Sequence, residues 1–170
     1  MQRCGFFKAA CDSEFKESKT ATITLDNDVP DGVDMLLVYL YTLELPNLAN
    51  KQVYPQSGSA ARDAYFLGDK YNLPCLRDHG RTTLIHQIRT RLNTWYEKED
   101  AMKERWIRFI GKVWKWTIED SDQVREAILD ALMSTSQAII EDGRFQALMK
   151  ENEEFLMAFL RALAKKAIRK

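Results

Sequence analysis

Residues 20–42 read Thr20-Ala21-Thr22-Ile23-Thr24-Leu25-Asp26-Asn27-Asp28-Val29-Pro30-Asp31-Gly32-Val33-Asp34-Met35-Leu36-Leu37-Val38-Tyr39-Leu40-Tyr41-Thr42, and the change of period inside this stretch decides what fold to expect. From Thr20 to Leu25 the residues are β-branched and alternating, with Ala21, Ile23 and Leu25 on one face and the threonines on the other, the pattern of a half-buried strand. Asp26-Asn27-Asp28 breaks it. Pro30 then stands where a first helical turn tolerates a missing N–H, with acidic residues beside the positive helix end. Val33, Leu36, Leu37, Tyr39, Leu40 and Tyr41 make the following helix apolar nearly all round, as expected of one sandwiched between others.

Outward from this stretch the pattern is helical. On the N-terminal side, Phe6 to Asp12 reads as the end of a short helix and Ser13 to Lys19 as a polar loop. On the other side, Leu45-Pro46-Asn47 ends the apolar helix, and the connection to Ser59 holds a short extended piece near Val53-Tyr54. Ala60 to Tyr71 carries Ala61, Ala64, Tyr65, Leu67 and Gly68 on one helical face; Asn72-Leu73-Pro74 interrupts, and Leu76 to Trp95 resumes. Further helices are expected at Ala101–Thr117, Ser121–Glu141, Phe145–Lys150 and Glu153–Ile168, the last capped by Asn152. The expected fold class is mainly α with one or a few short strands, divided into residues 1–95 and an all-helical region at residues 96–170.

The 170 residues are 45% hydrophobic and 29% charged, enough for a packed core without disulfides or a structural metal. Lys plus Arg equals Asp plus Glu, 25 against 25, and the balance holds on each side of Leu92. That argues against nucleic acid and membrane surfaces, both of which demand clustered positive charge. Three cysteines, Cys4, Cys11 and Cys75, without Cys-x-x-Cys spacing fit a reducing compartment, so a cytoplasmic or nuclear location is expected. Cys75, His79 and His86 supply three ligands from one segment where a structural zinc site takes four, so no metal or other cofactor is expected. Phosphate loops, nucleophile elbows and His-Glu-x-x-His are absent, and the chain is not expected to be an enzyme.

Lys103 to Trp116 interleaves basic residues with three tryptophans. Arg105, Arg108, Lys112 and Lys115 recur every three or four residues as one stripe, and Trp106, Ile110, Val113 and Thr117 with Ile107, Trp114 and Ile118 form another. This describes a helix with a solvated basic back and a packed front, with Trp116 and Phe109 widening the apolar arc toward a partner. A nucleic-acid-binding helix in a transcription-linked regulator is the alternative. The last segment, Phe155 to Lys166, is amphipathic and ends in cations that suit a helix C-terminus.

Gly5-Phe6-Phe7-Lys8-Ala9-Ala10-Cys11, Phe15-Lys16-Glu17-Ser18, Ile23-Thr24-Leu25-Asp26, Met35 to Thr42, and Ala64-Tyr65-Phe66-Leu67-Gly68-Asp69-Lys70-Tyr71-Asn72-Leu73-Pro74-Cys75-Leu76 resemble, in order and spacing, successive pieces of a BTB/POZ domain of fungal type. The resemblance covers residues 4 to 92 and lacks the β-hairpin and first helix that open such a domain, which leaves the strand at Ala21–Leu25 without its usual partners. It implies a partial BTB/POZ-like α/β fold, homodimerisation, and docking to a cullin scaffold as substrate adaptor of a ubiquitin ligase, with an inactive fragment of a longer gene product as the other outcome. The cullin-binding hydrophobic-x-Glu triplet falls on Val33-Asp34-Met35, with Met35 where Glu is wanted, so that Met35→Glu is expected to strengthen docking. The family's Gly after Tyr-Thr is Leu43 here. The candidate interaction residues are thus Phe6, Phe7, Val33, Asp34, Met35, Trp106 and Trp116.

Overall fold

Helical periodicity prevails along the chain. The computed structural model describes residues 5–12, 16–25, 27–48, 50, 57–95, 99–117, 123–134 and 137–168. Their elements are α1 (Gly5–Asp12), α2 (Lys16–Thr20), α3 (Pro30–Thr42), α4 (Ser57–Lys70), α5 (Pro74–Asn93), α6 (Asp100–Trp116), α7 (Gln123–Ser134), α8 (Gln137–Ile140), α9 (Gly143–Glu151) and α10 (Glu153–Ile168). Two units are distinguished, Met1–Leu84 and Ile85–Lys170.

In the first unit α4 is the central element, and small residues make it so. Ala61 and Ala64 are fully buried, and with Gly68 they form one face of α4. A Cβ on Gly68 would stand 2.3 Å from the Arg77 amide nitrogen, and one on Gly80 of α5 would stand 2.3 Å from that of Tyr65. The backbones of α4 and α5 therefore meet with no side chain between them. Ala60, Asp63 and Leu67 turn a second face of α4 toward α3, whose Gly32 approaches closely enough that a Cβ would meet Leu67 at 2.9 Å. The α4–α5 turn closes with Asn72 left-handed (φ 53°), Leu73 N–H donating to Gly68 O at 2.7 Å and Asn72 N–H to Asp69 O at 3.0 Å. This is the pair of bonds that ends a helix tightly, and Pro74 opens the next.

Three expectations need correction here. The described residues contain no β-strand, so neither the strand at Ala21–Leu25 nor the α/β fold implied by the BTB/POZ resemblance is present. Ala21 takes a left-handed φ of 50°, and Thr22 Oγ1 donates to Thr20 O at 3.1 Å, a local bond in place of a ladder. Ile23 and Leu25 are still half-buried and Thr22 and Thr24 exposed. Alternation thus reports which side chains are covered, whereas a strand also requires a second strand to take its N–H and C=O groups. The polar stretch expected as a loop contributes α2, whose Lys-Glu-Ser-Lys run is built mostly of good helix formers and buries nothing. The third correction concerns α3. It is covered on one side by Gly32, Met35, Leu36 and Tyr39, but Leu37, Val38 and Tyr41 are exposed. It ends at Thr42, before the expected Leu45-Pro46, with Leu43 left-handed (φ 62°) and its N–H donating to Tyr39 O at 2.8 Å. The extended piece near Val53-Tyr54 lies outside the described residues.

In the second unit α6 presents the two stripes read from its sequence: Trp106, Ile107, Ile110, Val113 and Trp114 are buried and Arg105, Arg108, Lys112 and Lys115 exposed. Its front meets α9, and α10 packs on α9 and α7. Aromatic rings fill the join, with Trp114 4.7 Å from Phe155, and Phe145 6.0 Å from Phe155 and 6.1 Å from Phe159. Arg125 of α7, 4% exposed, binds the end of α6. Its guanidinium donates to Trp114 O at 3.0 Å, Thr117 Oγ1 at 3.1 Å and Glu154 Oε1 at 2.6 Å, and lies 4.5 Å over the Trp114 ring. Of the residues expected as one helix from Ser121 to Glu141, Gln123–Ser134 (α7) and Gln137–Ile140 (α8) are helical, and 121, 122, 135 and 136 lie outside the described set. Asp142 caps α9 by accepting from Arg144 N–H at 2.9 Å. Asn152, expected to cap α10, stands just before it with its C=O accepting from Leu156 N–H at 3.0 Å, and its side-chain amide donates back to Leu148 O at 2.9 Å.

The close α4–α5 approach predicts that Gly80→Ala loses about 2–3 kcal/mol of stability in urea unfolding, while Gly143→Ala, whose Cβ meets nothing within 4 Å, stays within about 1 kcal/mol of the parent. Leu43→Gly is expected to raise stability by about 1 kcal/mol by relieving a left-handed non-glycine residue. A raised urea midpoint with unchanged slope is the observation that checks it.

Candidate functional site

The exposed half of α3 is the most distinctive surface of the described chain. At 100° per residue, Asp34, Leu37, Val38 and Tyr41 share the side opposite Met35, Leu36 and Tyr39. Leu37 is 38% exposed, Val38 54% and Tyr41 80%, and the apolar surface continues beyond the helix through Leu43 and Leu45. Single exposed apolar residues are ordinary in folded proteins; a helical stripe of them is not. The surrounding charge has one sign. Asp31, Asp34 and Glu44 are exposed, and Thr20–Asn50 contains neither Lys nor Arg.

Asp28 fixes where α3 starts. Its carboxylate, buried to 7% exposure, accepts from Lys70 Nζ at 2.8 Å and from Tyr71 Oη at 2.5 Å, tying the entry of α3 to the end of α4. Burial and the bond to Asp28 push the Tyr71 hydroxyl above its ordinary range, and the same carboxylate raises Lys70. Phe6 and Phe7 of α1 flank the Tyr71 ring at 5.0 and 5.4 Å. Asp63, beneath Gly32, accepts from Arg62 Nε at 2.7 Å; its burial pushes the carboxyl up, and Arg62 opposes that shift.

The expected interaction residues are thereby separated. Phe6 is 46% exposed and Phe7 half-buried, both spent largely on Tyr71. Val33 is half-buried at the margin of the α3 stripe, and Asp34 lies in it. Met35 is 2% exposed on the opposite side, so it offers nothing to a partner, and a glutamate there would bury its charge against α4. Trp106 is 6% exposed under the Arg91 guanidinium, whereas Trp116 is 46% exposed. With Trp106 and Trp114 buried, the rings that would stack on bases are occupied by the core. His79 Nε2–H donates to Pro46 O at 2.8 Å, and Cys75 is exposed. Among the described residues no helix is long and apolar enough to cross a membrane.

Sequence reasoning missed Asp28, Tyr71 and the outward placing of Val38 and Tyr41. For the stripe a signal existed, since an all-round apolar helix needs two covered sides and only α4 is a clear candidate to cover one. Asp28, read only as a strand breaker, carried no signal, because its partners lie more than 40 residues away.

Met35→Glu is expected to lose about 3 kcal/mol or more, through lost packing and a buried carboxylate, and Asp34→Lys to change stability by less than about 0.5 kcal/mol. Thermal melts of the two variants beside the parent check this. Comparison of the chain with protein-family models, with curated proteins and with solved structures finds no match.

Proposed function

We propose that the chain is a protein-interaction module that does no chemistry itself and docks a partner on the outer face of α3. The observation that supports this reading is the stripe of Leu37, Val38 and Tyr41 beside Asp34, apolar and exposed on a segment whose charged residues are all acids. Such a face fits an amphipathic helix whose apolar residues recur every three or four positions and whose flanks carry Lys or Arg. The BTB/POZ resemblance supplies a concrete candidate, a cullin scaffold, with this chain as substrate adaptor. On this reading Asp34 takes the acidic role that the resemblance assigns to the position of Met35. Self-association, also implied by the resemblance, belongs to a different surface, because two acidic α3 faces repel.

The test is a titration monitored by fluorescence anisotropy, using two designed helical peptides of equal apolar face, one flanked by Lys and one by Glu, and a purified cullin. The Lys-flanked peptide is expected to bind at least about tenfold more tightly than its acidic counterpart, with Val38→Asp and Leu37→Asp abolishing the difference. Equal affinity for the two peptides, or variants that bind as the parent does, would remove the reading. Failure of the cullin alone would remove the adaptor assignment and leave the docking face.

A further inference from the structure

The helix α10 has two apolar sides, and its own fold uses one. Phe155 and Phe159 are buried against α7 and α9, and Lys166 follows that side to donate to Met133 O at 2.9 Å. On the opposite side Met157 is 44% exposed, Leu160 48% and Ile168 85%, with exposed Ala164 between the last two. These four recur at three, four and four residues, the spacing of a helix–helix seam. The small side chain of Ala164 lets a second backbone come close.

Charge identifies what lies on the seam. Exposed Glu151 and Glu153 lie at the N-terminal end of this helix region and exposed Lys165 in its last turn, with Arg161 midway, while Glu154 is taken by Arg125 and Lys166 lies on the inward side. The helix dipole accounts for charges at the ends, but not for Met157 and Leu160 facing out between them. An anionic membrane surface attracts the basic end and repels the acidic one, and a partner of uniform charge satisfies only half the helix. An identical helix running the other way satisfies both ends at once, and its dipole opposes in the favourable sense.

We propose that α10 is a self-recognition surface through which two copies of this chain pair antiparallel, Leu160 crossing near its counterpart and Met157 facing the partner's Ala164. The sixteen residues of α10 span about 24 Å, so the pair buries well under the ~1,200 Å² of a standard stable interface and is a weak, concentration-dependent dimer. The inference gives the self-association of the preceding reading a place on the chain and is independent of docking on α3.

The experiment is sedimentation velocity of the reduced full chain from about 5 to 500 μM, at low and at 0.5 M salt. A monomer–dimer equilibrium is expected. Leu160→Glu, at an exposed site, weakens it at least tenfold with an unchanged melting temperature. Lys165→Gln weakens it severalfold at low salt, because the partner's Glu153 loses its counter-charge; a parallel pair would be strengthened by the same change. Val38→Asp on α3 leaves it unaltered. A monomer at every concentration, a dimer indifferent to Leu160→Glu, or a dimer strengthened by Lys165→Gln overturns the proposal. So does binding to phosphatidylserine vesicles that Leu160→Glu abolishes in a chain that stays monomeric, which would assign the stripe to lipid.

Discussion

Backbone contact between α4 and α5 is the constraint from which the first unit follows. Gly68 and Gly80 leave no room for a Cβ between the two helices, and Ala61 and Ala64 continue the same close face. An interface of this kind gains dispersion contacts from main-chain atoms and little from large apolar side chains, so it tolerates almost no change of volume. It also uses up one side of α4. The face made by Ala60, Asp63 and Leu67 is what remains for α3, and Gly32 brings that helix in until its buried half is covered. The other half of α3 then lies outside the core.

Charge separates the two exposed apolar faces into different kinds of surface. On α3 every charged residue is an acid, and Lys70 at the end of α4 is held by Asp28. Two such faces cannot approach one another without stacking like charges, so the proposed docking on this stripe calls for a basic partner. On α10 exposed Glu153 and exposed Lys165 lie in the first and last turns, which makes the face complementary to its own inverse. Hydrophobicity gives each face its affinity, and the arrangement of charge decides the class of partner.

Most of the helical organisation was legible because it depends on period, and period is local. The two stripes of α6 and the full extent of α10 emerged from residues three and four apart. The strand failed for the opposite reason: a ladder needs a second strand, which is a non-local property that Thr20 to Leu25 cannot encode alone. The end of α3 illustrates an intermediate case. Leu43 stands where the BTB/POZ resemblance expects glycine, and it takes the left-handed conformation that glycine would adopt without strain. The site itself was half legible. Asp34 was singled out, but its neighbour Met35, one residue and 100° further round, falls on the buried side, and only the position of α4 distinguishes the two.

Arg125 shows why the second unit can display α10 as it does. A buried guanidinium is costly unless its nitrogens are paired, and here the Trp114 carbonyl, the Thr117 hydroxyl and the Glu154 carboxylate each accept from a different one of the three while the Trp114 ring covers its face. Those partners belong to the end of α6 and the first turn of α10, so one side chain of α7 fixes both relative to itself. The Phe155 ring packs against Trp114 within the same cluster, which sets the rotation of α10 about its axis as well as its position. With rotation fixed by Phe155 and Phe159 inward, Met157 and Leu160 can only point out. Their exposure is therefore a consequence of the core, because turning them inward would require removing two phenylalanines and the counter-charge of a buried arginine.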